Sequence, residues 1–210
     1  LTAQEVRLFP DHVEFRAVAG EETVPATLNI PGAFTVSNAL CALSCARELG
    51  IPLNKAAAAL AGVPGVKGRM EVAPWPGPGT VVLDYAPTPD ALENALTALR
   101  AHTPGRLICL FGCGGDRDRG KRPLMGAVAA HRAALCVVTS DNPRTEASDG
   151  IIQDILEGMV HFDTVRLVEP DRPEAIRLAL SLLKEGDTLL LAGKGHETYQ
   201  EVGLEKRHLD

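Results

Sequence analysis

Residues 106–115, RLICLFGCGG, contain the pattern that decides the fold. Five consecutive apolar side chains are followed at once by a loop of three glycines and a cysteine. A short apolar run of this kind is typical of a strand buried on both faces of a parallel sheet. Four further runs share the pattern: residues 80–84 (TVVLD), 135–139 (LCVVT), 165–168 (VRLV) and 188–192 (TLLLA).

Amphipathic segments separate these runs and predict the helices of the fold. They cover residues 89–102, a segment opened by Pro123, residues 149–159 and residues 172–184. Buried strands that alternate with such helices indicate an α/β fold, a doubly wound and mostly parallel Rossmann-like sheet with helices on both faces. We place this domain at residues 65–210.

The chain before residue 65 has a different rhythm. Three short alternating pieces are separated by turn signals at Pro10 and Gly20, which predicts short antiparallel strands. Two helices follow over residues 33–49 and 54–60, and the glycine-rich segment 62–68 has the composition of a hinge. We therefore expect residues 1–64 to be the last part of a separate domain.

Composition limits the possible partners and compartment. The chain has 210 residues and a net charge of −6, which disfavours nucleic acid or an anionic membrane surface as a partner. No apolar run approaches the roughly 20 residues of a membrane span. Five cysteines, an odd number, predict free and mostly buried thiols in the cytoplasm, with Cys113 the candidate for reactivity. The chain begins with neither Met nor a signal segment, and we expect it to be a fragment.

Polar residues follow the predicted strands, where an open parallel sheet places its ligand sites. Residues 112–122 combine three glycines with a surplus of two positive charges. Backbone N–H groups there could approach an anion such as phosphate or carboxylate. The loop matches neither a Walker P-loop nor a dinucleotide fingerprint, and a solvated basic turn is the alternative.

Two further loops suggest a zwitterionic ligand. In residues 141–144 (DNPR), Pro143 restrains the backbone, Arg144 offers a planar fork for a carboxylate, and Asn142 can donate or accept. In residues 193–197 (GKGHE), Glu197 can pair with an ammonium group. A guanidinium that can bind a carboxylate and a carboxylate that can bind an amine fit an amino-acid ligand better than a dinucleotide. A plain Asn-Pro turn and a structural histidine are the alternatives for these two loops.

Taken in order, these segments resemble the Mur ligase family of peptidoglycan synthesis, and most closely its diaminopimelate-adding members. The resemblance covers nearly the whole chain. The matching segments are residues 34–40 (FTVSNAL), 68–71 (GRME), 84–92 (DYAPTPDAL), 111–125, 139–146 and 192–200.

The resemblance implies an ATP-dependent amide ligase. Such enzymes phosphorylate the D-glutamyl carboxylate of UDP-N-acetylmuramoyl-L-alanyl-D-glutamate, and the amine of meso-diaminopimelate then attacks the acyl phosphate. Residues 1–64 would end the central ATP-binding domain, and residues 65–210 would be a slightly truncated C-terminal amino-acid-binding domain. The family's P-loop and its modified, Mg²⁺-binding lysine have no counterpart in this sequence. The resemblance therefore implies that ATP and Mg²⁺ are bound mainly by other parts of a monomeric parent enzyme. It also implies that this chain alone is inactive.

The resemblance also assigns roles to individual residues. Diaminopimelate contacts map to Arg117, Asn142, Arg144, Gly193 and Glu197, and nucleotide contacts map to Asn38, Arg69 and Asp84.

Two positions depart from the family pattern, both on the nucleotide side of the site. Thr35 stands where Asn is usual, and Pro87 stands where His is usual. These departures affect the predicted nucleotide binding more than the predicted amino-acid recognition.

Two alternatives to this ligase stay open: a related ligase that adds L-lysine or another amine, and a stand-alone amino-acid-binding module without catalysis.

Overall fold

The structure, a computed structural model, describes residues 1–209. The chain divides into two compact units, Leu1–Val66 and the remainder from Lys67 onward. The break falls within the glycine-rich segment 62–68. Among residues 1–209, no helix combines the length and apolarity that crossing a bilayer requires.

The first unit is a three-stranded antiparallel meander followed by two helices. Its elements are β1 (Thr2–Leu8), β2 (Val13–Ala19), β3 (Glu22–Leu28), α1 (Phe34–Glu48) and α2 (Leu53–Ala61). β2 pairs with β3 along its length, and Phe15 lies directly opposite Ala26 on the same face of the sheet. Both are buried in a core shared with Leu43 of α1 and Leu53 of α2.

The cysteines of α1 correct one expectation. Cys41 and Cys45, four residues apart in α1, are exposed, whereas Cys109, Cys113 and Cys136 are buried. All five are free thiols. Their helical, apolar context predicted burial, but the core side of α1 is formed by Thr35, Val36, Ala39 and Leu43.

The second unit contains a six-stranded sheet, four helices and a hairpin. Its elements are β4 (Glu71–Val72), β5 (Thr80–Asp84), α3 (Pro89–Arg100), β6 (Leu107–Phe111), α4 (Lys121–Arg132), β7 (Leu135–Val138), α5 (Ser148–Glu157), β8 (Val165–Val168), α6 (Arg172–Ser181), β9 (Thr188–Ala192), β10 (Tyr199–Val202) and β11 (Glu205–His208). All five predicted strands are confirmed. The helix predicted to open at Pro123 begins two residues earlier, at Lys121.

The sheet order is β4-β5-β9-β6-β7-β8, and only β4 runs antiparallel to its neighbour. The last parallel strand, β9, therefore lies between β5 and β6. Ile108 and Leu110 of β6 pack with α6, while the alternate residues Cys109 and Phe111 are fully buried on the opposite face. On that opposite face α3 packs on α4, and α4 packs on α5. The doubly wound, mostly parallel α/β fold is confirmed.

Candidate functional site

A polar cleft of about 160 Å³ opens where the loops after β5, β6, β7 and β9 converge. This is the edge at which a doubly wound sheet places its ligands. All five residues predicted to contact diaminopimelate line this cleft. Its lining residues are Tyr85, Pro87, Gly112, Cys113, Gly114, Arg117, Lys121, Asp141, Asn142, Arg144, Gly193 and Glu197.

The backbone of Arg144 is held in an unusual conformation by the β10–β11 hairpin. Its φ angle is +50°, in the left-handed region that side chains other than glycine rarely adopt. The Arg144 N–H donates to the carbonyl of Glu201 at 3.1 Å, and the Arg144 carbonyl accepts from Gly203 at 2.7 Å. Such strain persists only where the surrounding structure enforces it, and it concentrates at functional sites.

The side chain of Arg144 is anchored on one edge and open on the other. Its Nη1 donates to the carbonyl of Gly115 at 2.9 Å, and its Nε lies 2.9 Å from the Glu201 carboxylate. Its Nη2 bonds to none of the described residues, and the side chain is one-quarter exposed. The guanidinium is therefore positioned with donors left for a carboxylate.

The glycine loop is packed against the 141–144 loop rather than left free. The Gly115 N–H donates to the Asn142 carbonyl at 2.9 Å, and the Asp116 N–H donates to Glu146 Oε1 at 2.6 Å. A Cβ at Gly115 would collide with the Pro143 carbonyl oxygen. Gly115 is thus required for close packing between two loops, and the expectation that its N–H is free for an anion is wrong.

The predicted surplus of positive charge in this loop is partly neutralised. Arg122 is fully buried and donates to Glu146 at 2.7 Å and to Asp154 at 2.9 Å. The hydrogen bond from Arg122 lowers the pKa of Glu146 to about 2. Arg119 pairs with Asp154 as well, at 3.4 Å. The alternative of a solvated basic turn is therefore excluded for Arg122, whereas residues 116–120 are exposed.

Two cations of this loop remain at the cleft. Arg117 is exposed there, and Lys121 donates to the carbonyl of Pro87 at 2.8 Å. Lys121 thereby connects the loop after β6 to the loop after β5.

At the base of the cleft lies a cluster of charges whose mutual pairing was not predicted. It contains two buried cations, Arg172 and Lys194, the buried carboxylate of Asp141 and the partly exposed carboxylate of Glu197. Arg172 donates to the carbonyl of Ala192 at 2.8 Å and lies 4.0 Å from Asp141; burial lowers its pKa. Lys194 Nζ lies 3.5 Å from Asp141 and 3.3 Å from Glu197. The balanced charges make the burial tolerable.

Gly193 has a φ of +108°, and a Cβ there would lie 2.6 Å from the Asp141 carboxylate. The backbone can turn beside this carboxylate only because the residue is glycine. A signal for the cluster was present in the sequence, since Lys194 lies between two glycines at the end of a buried strand.

The residues assigned to the nucleotide are placed differently. Asn38 is exposed on α1 of the first unit. In the second unit, the exposed Arg69 guanidinium lies 4.8 Å above the centre of the Tyr85 ring. Asp84 is buried, and its two carboxylate oxygens accept from the backbone N–H groups of Met70 and Ala86, each at 2.9 Å. Burial raises the pKa of Asp84 against the opposing effect of these bonds.

Cys113 is buried at the base of the cleft. Its Sγ lies 3.6 Å from the sulfur of Met125, and burial raises the pKa of the thiol to about 12. The thiolate is the reactive form, so burial disfavours reaction of Cys113 near neutral pH.

Comparison with known proteins identifies close relatives. Residues 68–195 match a family described as Mur ligase, glutamate ligase domain. Two curated relatives are each described as UDP-N-acetylmuramoyl-L-alanyl-D-glutamate–2,6-diaminopimelate ligase. The one from Thermosynechococcus vestitus is 53% identical over 88% of this chain and 38% of its own length. The one from Haemophilus influenzae (strain KW20) is 50% identical over 84% of this chain and 36% of its own length. The chain thus spans under two-fifths of either relative.

Solved structures show the same likeness. A UDP-N-acetylmuramoyl-L-alanyl-D-glutamate–2,6-diaminopimelate ligase aligns with a TM-score of 0.68 at 36% identity, over 99% of this chain and 42% of that one. A UDP-N-acetylmuramate–alanine ligase from Thermotoga maritima aligns with a TM-score of 0.72 at 22% identity, over 93% of this chain and 42% of that one. The second comparison is evidence of a shared fold alone.

Proposed function

This chain belongs to the Mur ligase family, and from that premise we propose that it supplies the amino-acid-binding part of a ligase that adds meso-diaminopimelate to UDP-N-acetylmuramoyl-L-alanyl-D-glutamate. The single observation that carries the proposal is the cleft that gathers Arg117, Asn142, Arg144, Gly193 and Glu197. The names of the two curated relatives support the same reaction.

The cleft residues suit a ligand with two carboxylates and two amines. In the proposal, Arg144 and Arg117 pair with the carboxylates, and Glu197 pairs with the distal ammonium. The remaining amine is then left to attack the activated glutamyl carboxyl group. Holding that amine in one place is a proximity contribution, since it makes the encounter of two substrates effectively intramolecular.

The proposal divides the domains and the remaining substrates accordingly. Residues 1–64 end the central ATP-binding domain, and residues 65–210 form the amino-acid-binding domain. Asn38, Arg69 and Asp84 are assigned to the nucleotide, although both Asp84 oxygens are used by backbone N–H groups. The proposed substrates, a UDP-linked dipeptide and ATP, support a cytoplasmic location in this proposal.

The described residues fit Mg²⁺ poorly. Within residues 1–209, no three His, Cys, Asp or Glu side chains cluster as metal ligands. The sequence also contains no P-loop to hold a triphosphate. In this proposal the nucleotide and the metal ion are held mainly by other parts of the enzyme. In this proposal the 210-residue chain alone releases no phosphate from ATP when both substrates are present.

Titration calorimetry of the 210-residue chain with meso-diaminopimelate and with L-lysine tests the proposal. We expect diaminopimelate to bind and L-lysine to bind more weakly, because lysine lacks the distal carboxylate for Arg144. Lysine binding as tightly as diaminopimelate would favour the lysine-adding alternative. Absence of binding by either amino acid would refute the proposed role of the cleft. ATP-dependent phosphate release by this chain would contradict its assignment as inactive alone and favour catalysis over a simple binding module.

A further inference from the structure

Lys194 is a buried lysine in the loop that follows β9. Only 7% of the surface of Lys194 is exposed, and the residue lies between two glycines with positive φ angles, Gly193 and Gly195. An ammonium group taken from water into such a place must find hydrogen-bond acceptors and opposite charge. The partners that it finds are residues of the cleft.

All three N–H donors of the Lys194 ammonium have acceptors within the protein. They are Oδ1 of Asn142, the carbonyl of Tyr199 at 2.9 Å and Oε2 of Glu197 at 3.3 Å. An ammonium carries three donors and no acceptor. Lys194 is therefore committed to protein groups and has no donor left for a ligand.

These contacts fix the orientation of the Asn142 side-chain amide. Lys194 Nζ and the Glu201 N–H, the latter at 2.8 Å, can only donate, so the atom that they share must be the oxygen of Asn142. The Asn142 Nδ2 then donates to Oε2 of Glu197 at 3.3 Å. One N–H of Asn142 remains available, and the residue lines the cleft. An amide that could donate or accept is thereby made a donor.

The same contacts give the two carboxylate oxygens of Glu197 different environments. Its Oε2 accepts from both Lys194 and Asn142. Its Oε1 is bonded to none of the described residues, and the side chain is 17% exposed at the cleft. One oxygen is thus anchored and the other is left to accept.

We propose that Lys194 is a positioning residue that orients the two polar groups of the cleft, holding Asn142 with an N–H toward a ligand carboxylate and Glu197 with its free oxygen toward a ligand ammonium. This inference rests on the proposed function, because it needs an amino-acid ligand in the cleft. It goes beyond that proposal because Lys194, which donates no hydrogen bond to the ligand, controls which end of the amino acid each cleft residue binds.

A double-mutant cycle on diaminopimelate binding tests the proposal. Lys194→Met keeps the length of the side chain but removes its donors, and Asn142→Ala removes the group that Lys194 orients. We expect each single variant to weaken binding by about ten-fold or more, and the combined variant to lose clearly less than the product of the two. Lys184→Met, on the exposed end of the segment after α6, is the matched control and should change affinity less than about two-fold.

The outcomes of the cycle separate this inference from the proposed function. Binding by the wild-type chain with losses that multiply would overturn the role of Lys194 alone, because independent residues contribute additively in free energy. No binding by the wild-type chain would overturn the proposed function and this inference with it.

A ligand-free measurement on the wild-type chain covers the case in which Lys194→Met does not fold. Nitrogen-15 NMR should detect the Lys194 ammonium at neutral pH, because its hydrogen bonds slow exchange with water. Asn142→Ala should accelerate that exchange, while the Lys184 ammonium exchanges fast in both proteins. Exchange of Lys194 as fast as that of Lys184 in the wild-type chain would overturn the proposal.

Discussion

Replacing Arg144 with lysine should weaken diaminopimelate binding while the charge is kept. The wild-type guanidinium uses one nitrogen on Gly115 and one on Glu201 and still offers its Nη2 to a ligand. A lysine ammonium has three donors in all, at a single point. If it keeps both protein contacts, the ligand loses at least one charge-assisted hydrogen bond. Such a loss costs about 1.5–3 kcal/mol, or roughly ten- to hundred-fold in affinity.

The backbone of this position makes the comparison clean. Arg144 has a φ of +50°, a conformation that is equally unfavourable for arginine and lysine, so strain in the loop cancels between the two proteins. Arg177→Lys, at an exposed position of α6, is the matched control and should leave binding unchanged.

Calorimetry with two ligands decides what Arg144 does. Binding of diaminopimelate should weaken ten- to hundred-fold in Arg144→Lys, whereas the weaker binding of L-lysine should change by less than about two-fold, since lysine lacks the distal carboxylate. Equal losses for both ligands would mean that Arg144 only braces the loop. Unchanged binding of both would refute the recognition role and leave the 141–144 loop as a structural turn.

Three further predictions concern stability and reactivity. Arg122→Met should lower the free energy of unfolding, measured in urea, by about 2–4 kcal/mol, because it leaves Glu146 and Asp154 without their buried partner. The partial exposure of both carboxylates limits the loss. Arg132→Met, which breaks an exposed pair, is the control and should cost under about 1 kcal/mol. Pairing with Arg122 lowers the pKa of Glu146 from its ordinary 4.5 to about 2, so the ionised form of Glu146 stabilises the folded protein above pH 4.5. The melting temperature should therefore fall as the pH drops from 4.5 to 2. The fall should be smaller in Glu146→Gln. Iodoacetamide at pH 8 should modify the exposed Cys41 and Cys45 but spare Cys113 in the folded protein, a pattern that peptide mass spectrometry can read.

The central parallel strands were predictable because both of their faces are covered, whereas β8, at the edge of the sheet, is mostly exposed. Residues 107–111 are all buried, which requires an unbroken apolar run that stands out in the sequence. The β10–β11 hairpin was not predicted, because its strands are short, polar and half or fully exposed. It nevertheless holds the backbone of Arg144, so part of the support for the site lies in a segment with no strong sequence signal.

The cleft residues were foreseeable as a set, and their supporting contacts were not. Strand ends meet at one edge of a parallel sheet, so Asn142 and Glu197 could be placed together from their positions alone. The partners of Lys194 and Arg122 could not, because only the folded chain brings their acceptors within reach; the glycines that flank Lys194 indicated its place at a strand end but not its contacts.

The position of β9 between β5 and β6 also determines when this cleft can form during synthesis. A nascent chain that has not yet delivered Thr188–Ala192 from the ribosome leaves the inner edges of β5 and β6 without hydrogen-bond partners. The pairings that complete the sheet join residues far apart along the chain, and such non-local pairing is slow. Until then, two apolar edges are open to other chains at the stage when aggregation competes with folding. Of the six strands in this sheet β9 is made last, so assembly of the cleft must await nearly the whole second unit.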